Sequence, residues 1–265
     1  MTSIIFSMAL IYFLICAALY FFQEKFIFFP PQAQENAYHL VKKNEIVFTS
    51  IDEKTAGWNI NNNAGANKTV IYFGGNAEDV IYFNEEAKQY KVKQSIAFNH
   101  PGYGKSTGTP SQKSLYKNAL DSYDWALKEY NLQPQNIIVV GRSLGSSVAT
   151  YLAVNRKIAG LILITPFDSI KNIAKKHYKY FPVSILIKHP FPTAYYISQV
   201  SVPVLMLAAE KDEIISEDNL KNLMKHVKNN ANLIVYKNVS HNTIQNHINY
   251  YVEINLFINS LNELN

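Results

Sequence analysis

The stretch that decides the fold is Ile137-Ile138-Val139-Val140-Gly141-Arg142-Ser143-Leu144-Gly145-Ser146-Ser147-Val148-Ala149. The run Ile137–Val140 is continuous, β-branched and apolar, the pattern of a strand covered on both faces. The run from Leu144 onward is small and apolar and reads as a helix. Between them lies G-x-S-x-G, Gly141 to Gly145. A strand that turns directly into a helix through this pattern forms an elbow, which lifts the serine hydroxyl above the sheet edge. Small residues are needed two before and two after the serine, because the sharp turn brings backbone against backbone. Ser143 is the candidate nucleophile, and the helix N-terminus beneath it favours developing negative charge.

The same alternation continues on either side. Strands are expected at Ile46–Ile51, Thr69–Phe73, Ser95–Phe98, Asn136–Val140, Gly160–Ile164, Val202–Ala208 and Leu233–Tyr236. Helices are expected at Glu78–Tyr90, Ser111–Tyr130, Leu144–Val154, Glu217–Val227 and Thr243–Leu261, and a polar turn at Asn59–Asn67. Strands alternating with helices imply an α/β fold, a mostly parallel central sheet with helices on both faces. Thr165–Val200 interrupts this rhythm with an aromatic, proline-punctuated connection. A connection this long is more often functional than idle, and it reads as a cap over a pocket. Its aromatics Tyr178, Phe181 and Phe191 are candidate pocket residues, with Gly75.

A serine hydroxyl is a weak nucleophile and needs a base that is itself oriented by an acid. In this chain order the acid follows a late strand and the histidine follows the last one. His241, in Ser240-His241-Asn242, stands just beyond the last expected strand and is the candidate base. The strand before it runs into Glu210-Lys211-Asp212-Glu213, where Asp212 is the preferred acid. Glu210 and Glu213 remain as alternatives, as does Asp168 at the end of the preceding strand; Asp168 otherwise reads as a helix N-cap. An oxyanion hole needs two backbone N–H groups aimed at one point. Leu144, next to the serine, supplies one, and the turn Gly74-Gly75-Asn76 supplies the other, best from Asn76.

Other chemistries lack support. Of the 265 residues 48% are hydrophobic and 17% charged, which excludes a disordered chain. A single cysteine, Cys16, excludes an intramolecular disulfide framework and a cysteine-based zinc site. Gly104-Lys105-Ser106 ends like a phosphate loop, but Asn99 stands where its first glycine belongs and no helix starts at the lysine. The net charge of +5 is scattered, with no basic stretch interleaved with stacking aromatics, so no nucleic-acid partner is expected. The triad chemistry calls for no cofactor and no metal.

The N-terminus reads as a membrane anchor over residues 1–23, followed by the catalytic domain over 24–265 with its insertion at about 165–200. Ile4 to Phe22 carries no charge. At ~1.5 Å rise per residue it just crosses a ~30 Å hydrocarbon core. A cleaved signal peptide is the rival, but no Lys or Arg precedes the run and the apolar stretch continues past Cys16-Ala17-Ala18. Lys25, Lys42 and Lys43 follow the span, so the positive-inside rule leans toward a cytoplasmic domain.

Taken together, these motifs resemble the α/β-hydrolase superfamily, and in particular its membrane-anchored ABHD-type serine hydrolases. The resemblance covers roughly residues 20 to 260. It rests on Phe28-Phe29-Pro30, Phe73-Gly74-Gly75-Asn76-Ala77, Pro101-Gly102-Tyr103-Gly104-Lys105-Ser106, the serine elbow, Thr165-Pro166-Phe167-Asp168-Ser169, Phe181-Pro182-Val183, Lys211-Asp212-Glu213 and Ser240-His241-Asn242. One departure is Gly74, where the family usually has a histidine before Gly-Asn. The resemblance implies an α/β-hydrolase fold and an acyl ester or thioester substrate of lipid-like character, met at a membrane. A peptidase of the same fold and an inactive membrane-tethered binding protein are the alternatives.

Overall fold

The computed structural model describes residues 2–50, 53–62, 67–228 and 230–263. Met1, the end of the first expected strand at Ile51 and residues 63–66 of the expected polar turn lie outside the described residues. The strands are β1 (Glu45–Ser50), β2 (Glu53–Asn61), β3 (Thr69–Phe73), β4 (Gln94–Phe98), β5 (Ile137–Arg142), β6 (Gly160–Ile164), β7 (Val204–Lys211) and β8 (Ala231–Ser240). They form one eight-stranded sheet in the order β1-β2-β4-β3-β5-β6-β7-β8. The pairs β1–β2 and β2–β4 are antiparallel, and every later pair is parallel. This is the α/β-hydrolase fold that the sequence pattern implies.

The helices are α1 (Thr2–Ile27), α2 (Glu35–Val41), α3 (Phe83–Ala87), α4 (Gln112–Glu129), α5 (Leu144–Asn155), α6 (Ile170–His177), α7 (Val183–Leu186), α8 (Thr193–Ile197), α9 (Glu217–Met224) and α10 (Tyr250–Glu263). Alternate strand residues feed two cores. Ile71, Phe73, Val139, Leu161 and Met206 meet Leu115 and Ala119 of α4 and Val148 and Leu152 of α5 on one face. Val70, Tyr72, Val140, Ile162 and Leu207 meet Ile254 and Ile258 of α10 and Ala87 of α3 on the other. Both faces are covered, which is why the central strands read as unbroken apolar runs.

Three elements depart from expectation, the plainest being that the helix expected over Thr243–Leu261 starts at Tyr250, after a 3₁₀ turn at Ile244–Asn246. β2 occupies Glu53–Asn61, where the sequence pattern gave no strand and placed the start of a polar turn. Gly57 at its centre weakens the strand signal, yet a Cβ there would stand 2.2 Å from the Ala97 carbonyl oxygen, so the close pairing with β4 requires it. The helix expected over Glu78–Tyr90 shrinks to a 3₁₀ turn at Val80–Tyr82 and the short α3. Side-chain hydrogen bonds organise this segment instead. Asp79 accepts from the Ile81 N–H and from Tyr38 and Asn99, and Asn84 donates to the Ile81 carbonyl. Short polar side chains that bond nearby backbone compete with helix continuation.

Candidate active site

Ser143 stands between β5 and α5 with φ 49° and ψ −114°, a left-handed backbone that a non-glycine residue adopts only under constraint. The flanking glycines supply the constraint. A Cβ on Gly145 would lie 2.1 Å from the Phe73 carbonyl oxygen, and one on Gly141 would lie 2.2 Å from that of Gly145. The Ser143 N–H donates to the Ile164 carbonyl of the neighbouring strand at 2.8 Å, pinning the turn from beside it.

The sheet register delivers the partners. β7 and β8 run parallel, with Lys211 opposite Ser240, so the next residues of each strand, Asp212 and His241, leave the sheet side by side. His241 Nδ1 lies 2.8 Å from Asp212 Oδ2 and 3.0 Å from Oδ1, and His241 Nε2 lies 3.0 Å from Ser143 Oγ. The imidazole is thus bridged between carboxylate and hydroxyl. Asp212 Oδ1 also accepts from the Ile214 and Ile215 N–H groups at 2.9 and 2.7 Å, which fixes the carboxylate. The side chains of His241 and Asp212 are almost fully buried, a setting that strengthens their hydrogen bonds.

The other carboxylates have different partners. Glu213 accepts from the His241 backbone N–H at 3.2 Å, and Glu210 accepts from the Asn238 N–H at 3.0 Å. Asp168 is buried away from the imidazole. It accepts from the Ser169 N–H and from the side-chain amides of Asn172, Asn219 and Asn222, tying the start of α6 to α9. The helix N-cap expected of Asp168 is in fact Ser169, whose hydroxyl accepts from the Asn172 N–H at 3.1 Å.

Opposite the elbow, the turn Gly74-Gly75-Asn76 approaches closely enough that a Cβ on Gly75 would stand 3.6 Å from Ser143 Cβ. The Gly75 N–H donates to Glu78 Oε2 at 2.7 Å, and Tyr72 OH holds the same carboxylate. Among the described residues neither the Asn76 N–H nor the Leu144 N–H has an acceptor. Leu144 opens α5, where the first N–H groups have no intrahelical partner. The Asn76 side chain fixes its own backbone. Its Oδ1 accepts from Tyr103 OH at 2.7 Å and from the Phe29 N–H at 3.0 Å, while its Nδ2 donates to the Ile27 carbonyl at 2.7 Å.

Sequence reasoning passed over the residues behind this turn. His100 is fully buried, and its Nε2 donates to the Gly74 carbonyl at 2.9 Å. Burial lowers its pKa to about 4, so the ring is neutral near pH 7, and its Nδ1 has no partner among the described residues. A histidine therefore braces the turn from the next strand, in a chain that carries Gly74 where the family usually has one. The cause lies in the strand register: β3 and β4 pair with Phe73 opposite Phe98, so the residues just after each strand meet.

A cavity of about 980 Å³ opens at Ser143 and His241. Gly75, Tyr178 and Phe181 line it, as do Leu19, Gln23 and Phe26 of α1. Phe191 does not. It is completely buried in the core, edge-on to Phe28 and Tyr116, so the expectation of a pocket role for it is corrected. Its apolar ring is as well satisfied by core packing as by a ligand, and sequence cannot tell these apart.

Known proteins of like sequence and shape agree with the fold. A model of the α/β-hydrolase fold matches residues 68–183. An uncharacterised protein of Mycobacterium tuberculosis is 28% identical over 226 residues, covering 83% of this chain and 80% of its own. The lysophosphatidylserine lipase ABHD12 of Macaca fascicularis is 31% identical over 179 residues, 57% of this chain; the match spans 43% of the lipase. The crystal structure of an α/β hydrolase from Vibrio vulnificus superposes with a TM-score of 0.69 at 20% identity, covering 85% of this chain and 86% of that one. With this architecture and these relatives, the chain has the α/β-hydrolase fold, and its sequence is similar to ABHD-type hydrolases.

Proposed function

We propose that the chain is a membrane-anchored serine hydrolase that cleaves acyl esters or thioesters of lipid-like substrates. The observation that carries the reading is the hydrogen-bonded line from Ser143 through His241 to Asp212, set on an elbow at positive φ. Ser143 Oγ attacks the acyl carbonyl while His241 Nε2 takes its proton. Asp212 holds the Nδ1–H tautomer and stabilises the imidazolium. The N–H groups of Leu144 and Asn76 receive the oxyanion. Collapse expels the alcohol or thiol, which leaves with the proton from His241. Water, deprotonated by the same nitrogen, then cleaves the acyl-enzyme.

The apolar residues around the cavity and a lipase among the relatives support a lipid-like acyl group. The apolar, charge-free part of α1 supports anchoring, with the anchor over 1–23 and the hydrolase domain from 24 onward. A retained helix is favoured over a cleaved signal because Gln23 is buried against the hydrolase domain, its amide exchanging hydrogen bonds with Leu186 O and Lys188 N.

The test is labelling by a fluorophosphonate probe together with hydrolysis of p-nitrophenyl esters. Wild type is expected to label at Ser143 and turn over, and Ser143→Ala to lose labelling and about 10⁶ in kcat while remaining folded. Near wild-type turnover by the folded variant, or faster cleavage of peptide amides than of esters by wild type, would sink the reading.

A further inference from the structure

The contacts of α1 follow a single stripe. Tyr12, Cys16, Leu19, Gln23 and Ile27 recur at spacings of four and three, the period that keeps one seam of a helix against a partner. Cys16 and Gln23 are buried, while Phe13, Leu14, Phe21 and Phe22 on the other faces are exposed. The seam packs on α7 and on the residues that flank it on both sides. The Tyr12 ring stacks on Phe181 with centroids 5.7 Å apart, and its hydroxyl donates to the Tyr180 carbonyl at 3.0 Å. Gln23 donates to Leu186 O at 3.0 Å and accepts from the Lys188 N–H at 2.7 Å. One step outward, Glu24 pairs with Lys188 and His189 at 3.3 and 3.2 Å.

This seam closes one side of the active-site cavity. Leu19, Phe26 and Ile27 of α1 line it together with Ile173 of α6, Leu186 of α7 and Ser143. Its volume of about 980 Å³ is at the upper end for small-molecule sites, more than a short acyl group needs. The surrounding surface is also apolar where it meets α1. Tyr180 is 88% and Ile185 81% exposed, and Lys175, Lys176 and Lys179 lie close by in sequence. That combination of exposed tyrosine, aliphatic and lysine suits a lipid–water interface.

We propose that α1 is a wall of the substrate site as well as an anchor, and that the acyl chain of a bilayer-resident ester slides from the leaflet along Leu19 and Phe26, between α1 and α6–α7, to present its carbonyl to Ser143. The inference rests on the serine-hydrolase reading. Its physical basis is continuity: the residue that faces the cavity, Leu19, is flanked on the same turns by residues that face outward and are equally apolar. An acyl chain moving along that helix exchanges one apolar surface for another and never crosses water. Measured from water, each methylene taken up by the bilayer raises the ester's apparent affinity about fourfold, and passage from bilayer to cavity keeps that gain.

The experiment uses the full chain reconstituted in phosphatidylcholine vesicles, with p-nitrophenyl esters from acetate to dodecanoate. Leu19→Trp fills the passage, and Leu14→Trp places the same bulk on the outward face as a control. Wild type and Leu14→Trp are expected to show kcat/KM rising with chain length. Leu19→Trp is expected to lower kcat/KM on dodecanoate at least about tenfold more than on acetate, each relative to wild type. Unchanged dodecanoate kinetics in Leu19→Trp, or an equal fall on both esters, would overturn the proposal.

A second measurement needs no substitution. A long-chain fluorophosphonate with a diazirine at its tail phosphonylates Ser143 Oγ with loss of fluoride, and irradiation then marks the residues along the tail. Crosslinks are expected within Tyr12–Ile27; crosslinks confined to other elements would refute the passage. Absence of any adduct at Ser143 would instead defeat the serine-hydrolase reading, so the two failures are distinguishable.

Discussion

Replacing Asp168 by Asn separates the buried carboxylate that holds the scaffold from the one that serves the imidazole. Oδ1 of Asp168 accepts from the Ser169 N–H and from Asn219 Nδ2, both at 2.7 Å. Oδ2 accepts from Asn172 Nδ2 at 2.5 Å and from Asn222 Nδ2 at 2.7 Å. An asparagine keeps one carbonyl oxygen and puts an NH₂ where the other stood, so two amide donors lose their acceptor and face a donor. Each buried donor left unpaired costs about 1–3 kcal/mol. A flip of the Asn172 or Asn222 amide recovers part of this, leaving a loss of about 3 kcal/mol. For a chain of this size that lowers Tm by roughly 6–12 °C. The assay is thermal unfolding of the detergent-solubilised full chain, alongside kcat per active site counted by the ester burst. The expected outcome is a large fall in Tm with kcat per site within a few-fold of wild type. An unchanged Tm with kcat reduced about 10⁴-fold would show that Asp168 is the acid and refute the assignment to Asp212.

The converse substitution, Asp212→Asn, is expected to cut kcat by about 10⁴ because the imidazole loses its tautomer and orientation; retention of activity within tenfold would contradict it. His100 predicts a pH dependence of stability. Its folded pKa of about 4 lies below the ordinary 6.5, so its contribution is fully present above pH 6.5 and is lost as pH falls toward 4, by up to about 3 kcal/mol. Urea unfolding across that window should show the slope in wild type and a shallower one in His100→Gln, and identical slopes would remove His100 from the account.

The serine elbow was legible because its causes are local. An apolar strand, two glycines and a small-residue helix lie within thirteen consecutive residues, and the clashes that demand Gly141 and Gly145 arise within that turn and against the adjoining strand. The parallel sheet was legible for a related reason: strands covered on both faces need unbroken apolar runs, and β3, β5 and β6 have them. The positions of Asp212 and His241 could be named from chain order after strands. Their meeting, 29 residues apart in sequence, depends on the pairing of Lys211 with Ser240, which no periodicity encodes. β2 went unread because Gly57, the residue that weakens its pattern, is required by a contact with Ala97 forty residues away. Phe191 and His100 illustrate the same limit. An aromatic ring suits a core as well as a pocket, and a histidine is a brace or a base according to what stands opposite it. The seam of α1 is the extreme case: Gln23 looks like the polar end of an apolar span until the backbone of Leu186 and Lys188, more than 160 residues later, folds back onto it. Local sequence determines which segments form strands, turns and helices, because backbone sterics and burial act over a few residues. Which side chains then share a site is decided by packing between segments distant in the chain, and only the folded structure specifies it.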